Sequence, residues 1–147
     1  MSAPATVRWA HVALNCRDQQ ATEQFYSRWF GFHRVRVVDG GDGTRVVFLR
    51  HGDVCLELFG TDTNSAFDPK GDGPNNPGAV RHLAFQVDDV DSFLSDAGEL
   101  DVTLGPLKFD DFIPRWKTVW VRDPDGVVVE VSQGYVDQDP AELARFG

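Results

Sequence analysis

At 147 residues, 41% hydrophobic and 25% charged, the chain has room for one ordinary domain or two small modules sharing a core, and its composition is that of a globular protein. The 14 basic residues against 23 acidic ones leave a formal charge of −9, which argues against nucleic acid and anionic membrane as partners and leaves a cation open. No apolar run approaches the roughly 20 residues of a membrane helix, and residues 1–6 lack the basic start and apolar core of a secretory signal, so the expected location is cytoplasmic.

The first expected strand is Ala10-His11-Val12-Ala13-Leu14-Asn15-Cys16. Strand side chains alternate between faces, so His11, Ala13 and Asn15 share one face, and Val12, Leu14 and Cys16 share the core face. Asp18 is placed to cap a helix running to about Phe30, with Ala21, Phe25 and Trp29 as its apolar stripe and Gly31 as its stop. Strands at about 32–38 and 44–49 follow, joined by the hairpin signal Gly40-Gly41-Asp42-Gly43. The turn His51-Gly52-Asp53 leads into a fourth strand, Val54-Cys55-Leu56-Glu57-Leu58-Phe59, where Glu57 is the one charge. Residues 61–78, rich in proline and glycine and without periodicity, read as a linker.

The pattern then starts again. Arg81-His82-Leu83-Ala84-Phe85-Gln86-Val87-Asp88-Asp89 aligns without a gap on the first strand, His82 on His11, Ala84 on Ala13, Gln86 on Asn15 and Asp89 on Asp18. Asp89 caps a second helix, with Val90, Phe93, Leu94 and Ala97 at helical spacing. Strands are expected at about 101–104, 117–122 and 127–132, the last two joined by the tight turn Asp123-Pro124-Asp125-Gly126. Residues 107–115 read as a loop, and the tail 134–147 holds a short helix near 140–145. Each half is therefore strand–helix–three strands.

Glu57 falls 46 residues after His11 (57 − 11), and Glu130 falls 48 after His82 (130 − 82), each on the last strand of its half. Carboxylates among apolar strand neighbours are costly to bury without a partner. His11, Glu57, His82 and Glu130 together suit one divalent ion such as Zn, Ni, Co, Mn or Fe, since neutral imidazoles are good ligands and two carboxylates offset its charge. His33 and His51, outside the repeat, are expected at the surface. Cys16 and Cys55 are expected as small buried hydrophobes, with the reading weaker for Cys55, which shares a face with Glu57.

The paired modules resemble the vicinal oxygen chelate superfamily, which includes glyoxalase I, methylmalonyl-CoA epimerase, extradiol dioxygenases and antibiotic-resistance proteins. The resemblance is carried by His11-Val12-Ala13-Leu14, Gln24-Phe25-Tyr26 with Phe30-Gly31-Phe32, and Leu56-Glu57-Leu58. It continues in the His82 strand through Asp89 and in Asp123-Pro124-Asp125-Gly126-Val127-Val128-Val129-Glu130, so that it spans nearly all of residues 7–133. It implies an α+β fold of two βαβββ modules, residues 7–60 and 79–133, forming a curved sheet around a metal-binding cavity within one domain. It also implies metal ligands at His11, Glu57, His82 and Glu130, a set similar to that of glyoxalase I, and a homodimer. Leu58-Phe59-Gly60 follows Glu57 where glyoxalase I typically carries Asn-Trp, so the metal is better supported than a glutathione-adduct substrate.

The leading functional expectation is a metal-dependent lyase or isomerase that stabilises an enediolate of a small oxygenated substrate. Glu130 or Glu57 would move the proton, and Asn15 and Gln86 would orient substrate oxygens. The alternatives are an iron-dependent extradiol-type dioxygenase using His11, His82 and Glu130, and a non-catalytic antibiotic-binding resistance protein with Trp29, Trp116 and Trp120 as aromatic surface.

Overall fold

The computed structural model describes residues 7–63 and 68–147. The expectations for residues 1–6, and for residues 64–67 of the linker stretch, lie outside the described residues. The chain divides into two compact units, the second beginning at Asp68.

In the first unit, strand β1 (Val12–Cys16) leads to helix α1 (Gln19–Phe30), followed by β2 (His33–Asp39), β3 (Arg45–His51) and β4 (Val54–Gly60). The four strands form one mixed sheet in the order β1-β4-β3-β2, with β1 parallel to β4 and the other pairs antiparallel. Helix α1 starts where its sequence says it should. The Asp18 carboxylate accepts from the Gln20 and Ala21 N–H groups, satisfying donors that have no partner inside the helix. Gly31 ends it in the left-handed region at φ 75°, where its N–H donates to the Tyr26 carbonyl. Leu14, Cys16, Val47, Leu49, Leu56 and Leu58 of the sheet and Phe25, Tyr26 and Phe30 of the helix form the core.

The expected helical stripe is turned. Thr22, Phe25, Tyr26 and Phe30 are buried, whereas Trp29 is half-exposed, with the Arg28 guanidinium 4.4 Å from its ring centroid. A strict four-residue spacing drifts off a face that repeats every 3.6 residues, so Tyr26 and Phe30 take the places that spacing assigned to Trp29.

The second unit repeats the plan. Strand β5 (Leu83–Gln86), helix α2 (Val90–Ala97), β6 (Asp101–Lys108), β7 (Lys117–Arg122) and β8 (Val128–Gln133) give a sheet in the order β5-β8-β7-β6, again with only its first pair parallel. Asp89 caps α2 through the Ser92 N–H, which holds its carboxyl below the usual range. Val90, Ala97, Val119, Val121, Val129 and Val131 are buried between helix and sheet. A short helix α3 (Pro140–Leu143), running into one 3-10 turn, closes the tail.

Two expectations are corrected here. Strand β6 does not stop at Leu104; it continues to Lys108 through two register irregularities, so the loop expected from residue 107 starts later. Pro106 has no N–H to give, and β6 is an edge strand, where a missing donor is tolerated. The second half of the linker stretch is also no free tether. Asp68 pairs with Arg122 at 2.7 Å, and the Gly71 carbonyl accepts from the Thr103 hydroxyl at 2.6 Å.

Candidate metal centre

The two halves build the same local structure from the same register. In the first unit Glu57 of β4 lies between Ala13 of β1 and Phe48 of β3. In the second, Glu130 of β8 lies between Ala84 of β5 and Trp120 of β7. Directly paired strand residues project to one face, so each carboxylate shares its face with the alanine two residues beyond a histidine. Each histidine ring then reaches its carboxylate. His11 Nε2 is 3.2 Å from Glu57 Oε1, and His82 Nε2 is 3.7 Å from Glu130 Oε1. The carboxylates are well covered, with side-chain exposures of 17% and 12%, while His11 keeps 40% and His82 21%.

Each imidazole also stands against an aromatic ring. His11 meets Phe48 edge-on at 5.9 Å between centroids, and His82 meets Trp120 at 6.5 Å. Sequence patterning alone does not pair Phe48 with Trp120. They follow their histidines by 37 (48 − 11) and 38 (120 − 82) residues, the same near-constant offset that marks Glu57 and Glu130. Phe109 and Trp116 extend the aromatic wall beside Trp120.

The donor set and spacing fit a divalent ion. Two donors each about 2.1 Å from one ion, at right-angled to tetrahedral geometry, lie about 3.0–3.4 Å apart. The His11–Glu57 separation falls in that interval and the His82–Glu130 separation is a few tenths of an ångström wider. Within either unit, among the described residues, no third His, Cys, Asp or Glu joins the pair. Each unit thus offers one imidazole–carboxylate pair. The remaining expected residues fall as follows. Asn15 and Gln86 are exposed, two residues beyond Ala13 and Ala84 on the same face. His33 and His51 are exposed, and Cys16 and Cys55 are buried thiols outside any disulfide.

The strand that carries Glu130 is entered through a hydrogen-bonded turn. The buried Asp123 carboxylate accepts from the Asp125 and Val127 N–H groups at 2.8 and 2.9 Å, which fixes Asp123-Pro124-Asp125-Gly126 ahead of β8.

With this geometry in place, the chain belongs to the Glyoxalase/Bleomycin resistance protein/Dioxygenase superfamily, whose family model matches residues 8–131. Among its relatives is the uncharacterized protein YaeR of Escherichia coli (strain K12), 27% identical over 125 residues, covering 82% of this chain and 92% of YaeR. A solved glyoxalase family protein from Enterococcus faecalis is 31% identical with a TM-score of 0.63, covering 86% of this chain and 98% of that one. The fosfomycin resistance protein FosX of Listeria monocytogenes, solved with Mn(II) and sulfate, shares the fold at 16% identity and a TM-score of 0.61, covering 88% of this chain and 93% of FosX.

Proposed function

We propose that residues 7–133 form a single functional domain of a metal-dependent lyase or isomerase of the glyoxalase type, with His11, Glu57, His82 and Glu130 holding one divalent ion. The observation that carries this reading is the duplication. The same imidazole–carboxylate pair, with the same register and the same aromatic backing, is built twice in a chain of 147 residues. A covered carboxylate facing an imidazole nitrogen is costly unless a cation or proton lies between them, and two such pairs supply four donors.

When bound, the ion supplies Lewis-acid polarisation to two neighbouring oxygens of a small substrate. The protein's own groups do the rest. His11 and His82 each direct Nε2 at the carboxylate of their own unit. Glu130 takes a proton from the carbon beside a substrate carbonyl and returns it, with Glu57 of the first unit as the second carboxylate able to do so. A positioned base of this kind contributes on the order of 10²–10⁴-fold. Asn15 and Gln86 present amides to hydrogen-bond with substrate oxygens, and the Phe48 and Trp120 rings pack against the two imidazoles.

The test is proton exchange. The full chain loaded with Zn, Ni, Co, Mn or Fe is incubated in D₂O with a panel of small α-hydroxycarbonyl compounds, and deuterium incorporation at the adjacent carbon is followed by NMR. The proposal expects metal-dependent exchange that falls 10²-fold or more in Glu130→Gln. Oxygen uptake with a catechol and iron, without exchange, would replace it by the dioxygenase reading. Tight binding of a small molecule with neither reaction nor metal would replace it by a binding protein.

A further inference from the structure

We infer that the loop Gly71-Asp72-Gly73 is a positioning device for His82, setting which ring nitrogen carries the proton and turning the Nε2 lone pair toward Glu130. The significance of that lone pair rests on the proposed metal centre; the proton's placement rests on the loop alone.

His82 Nδ1 lies 2.7 Å from the carbonyl oxygen of Asp72. A carbonyl oxygen can only accept, so Nδ1 is the nitrogen that carries hydrogen. In a neutral imidazole Nε2 is then the bare acceptor, and it is this nitrogen that stands opposite the Glu130 carboxylate. An Nδ1–H bonded to a main-chain carbonyl is the general way a protein commits an imidazole to ligation through Nε2.

The carbonyl is held in place at three successive residues. Before it, the Thr103 hydroxyl of β6 donates to the Gly71 carbonyl at 2.6 Å. At it, the Asp72 carboxylate accepts from Arg81 Nη1 at 3.0 Å, tying the loop to the residue that precedes His82. After it, Gly73 adopts φ +116°, and its N–H closes a turn onto the Lys70 carbonyl at 3.0 Å. A side chain at Gly73 would place its Cβ 1.8 Å from the Arg81 carbonyl oxygen. That is backbone against backbone, and no rotamer relieves it. The glycine is therefore what lets the loop lie against Arg81, on the segment that leads through His82 into β5.

In the first unit the stretch at the corresponding distance before His11 lies outside the described residues. Among the described residues, the His11 ring contacts Glu57 and Phe48, and its side chain is about twice as exposed as that of His82. His82 is set before any ligand arrives.

The experiment reads the tautomer directly in metal-free, full-length protein labelled with ¹⁵N-histidine, using long-range ¹H–¹⁵N NMR at pH 8. The chain holds 4 histidines, and His82→Gln identifies the relevant signal. Expected is a single Nδ1–H form for His82. Gly73→Ala shifts the population toward Nε2–H and weakens zinc binding about 10–100-fold, as loss of a ligand's orienting partner does. Thr103→Val, which keeps the side-chain shape, shifts the tautomer the same way to a smaller extent and serves alone if Gly73→Ala does not fold. A loop with a merely structural role would lower the melting temperature and leave the tautomer ratio unmoved. His82 found as Nε2–H in the wild type, or an unchanged Nδ1–H form in the folded variants, overturns the inference. Tautomers that respond as stated in a protein that binds no zinc would uphold the loop's role and remove the metal reading instead.

Discussion

Glu130 carries opposite demands in the metal-free and metal-bound protein, and Glu130→Gln separates them. Its side chain is 12% exposed, and the imidazole nitrogen that faces it, His82 Nε2, is 3.7 Å away, beyond hydrogen-bond reach. A covered polar group left unpaired costs about 1–3 kcal/mol, and the residual exposure puts Glu130 toward the lower end. The amide keeps the shape and removes the charge, so the metal-free variant gains about 1 kcal/mol, or about 2–4 °C in a domain of this size. Zinc at 100 times its Kd stabilises the wild type by about 2.7 kcal/mol. If the amide binds zinc about tenfold more weakly, the same zinc concentration gives it about 1.4 kcal/mol. Differential scanning fluorimetry with and without zinc reads both effects: the variant melts higher when metal-free and gains about half as much on zinc addition. A metal-free variant melting more than about 2 °C below the wild type would show a carboxylate already satisfied by the fold, and would refute the reasoning.

Two further outcomes follow from the same geometry. Asp123→Ala leaves the Asp125 and Val127 N–H groups without their acceptor in a buried turn; the expected loss is about 2–4 kcal/mol, seen as a melting temperature lower by on the order of 5–15 °C, and an unchanged midpoint would contradict it. Zinc affinity falls as pH drops, because ligating imidazoles must give up their protons. A chelator-competition titration should therefore give a Kd at least about tenfold weaker at pH 5.5 than at pH 7.5, whereas a flat profile would exclude histidine ligands.

What the sequence made legible was whatever local chemistry controls. Asp18 and Gly31 mark the ends of α1 because a carboxylate cap and a left-handed glycine act within a few residues of themselves. The alternation in β1 and β5 correctly separates Leu14 and Cys16 from Ala13 and Asn15, since a strand's faces need nothing but parity. The stripe of α1 was less legible, because Tyr26 and Trp29 are equally apolar on paper and only the sheet beneath decides which is buried. The extension of β6 past Gly105-Pro106 was hidden for a similar reason: partner β7, not the residues themselves, carries the strand through. The Phe48 and Trp120 rings become visible only through the register of β3 on β4 and β7 on β8. The Asp72 carbonyl could not be read at all, since every residue has one and only the loop's backbone angles aim this one at His82.

The central claim is that two pairs, His11–Glu57 and His82–Glu130, serve one ion. Zinc titration of the metal-free full chain against a chromophoric chelator, with stoichiometry, tests it most directly. One ion per chain is predicted for the wild type, with His11→Ala and His82→Ala each weakening binding by about 100-fold or more, as loss of a direct ligand exceeds the 10–100-fold typical of losing its orienting partner. Two independent ions per chain, or full affinity surviving the removal of either histidine, would contradict it.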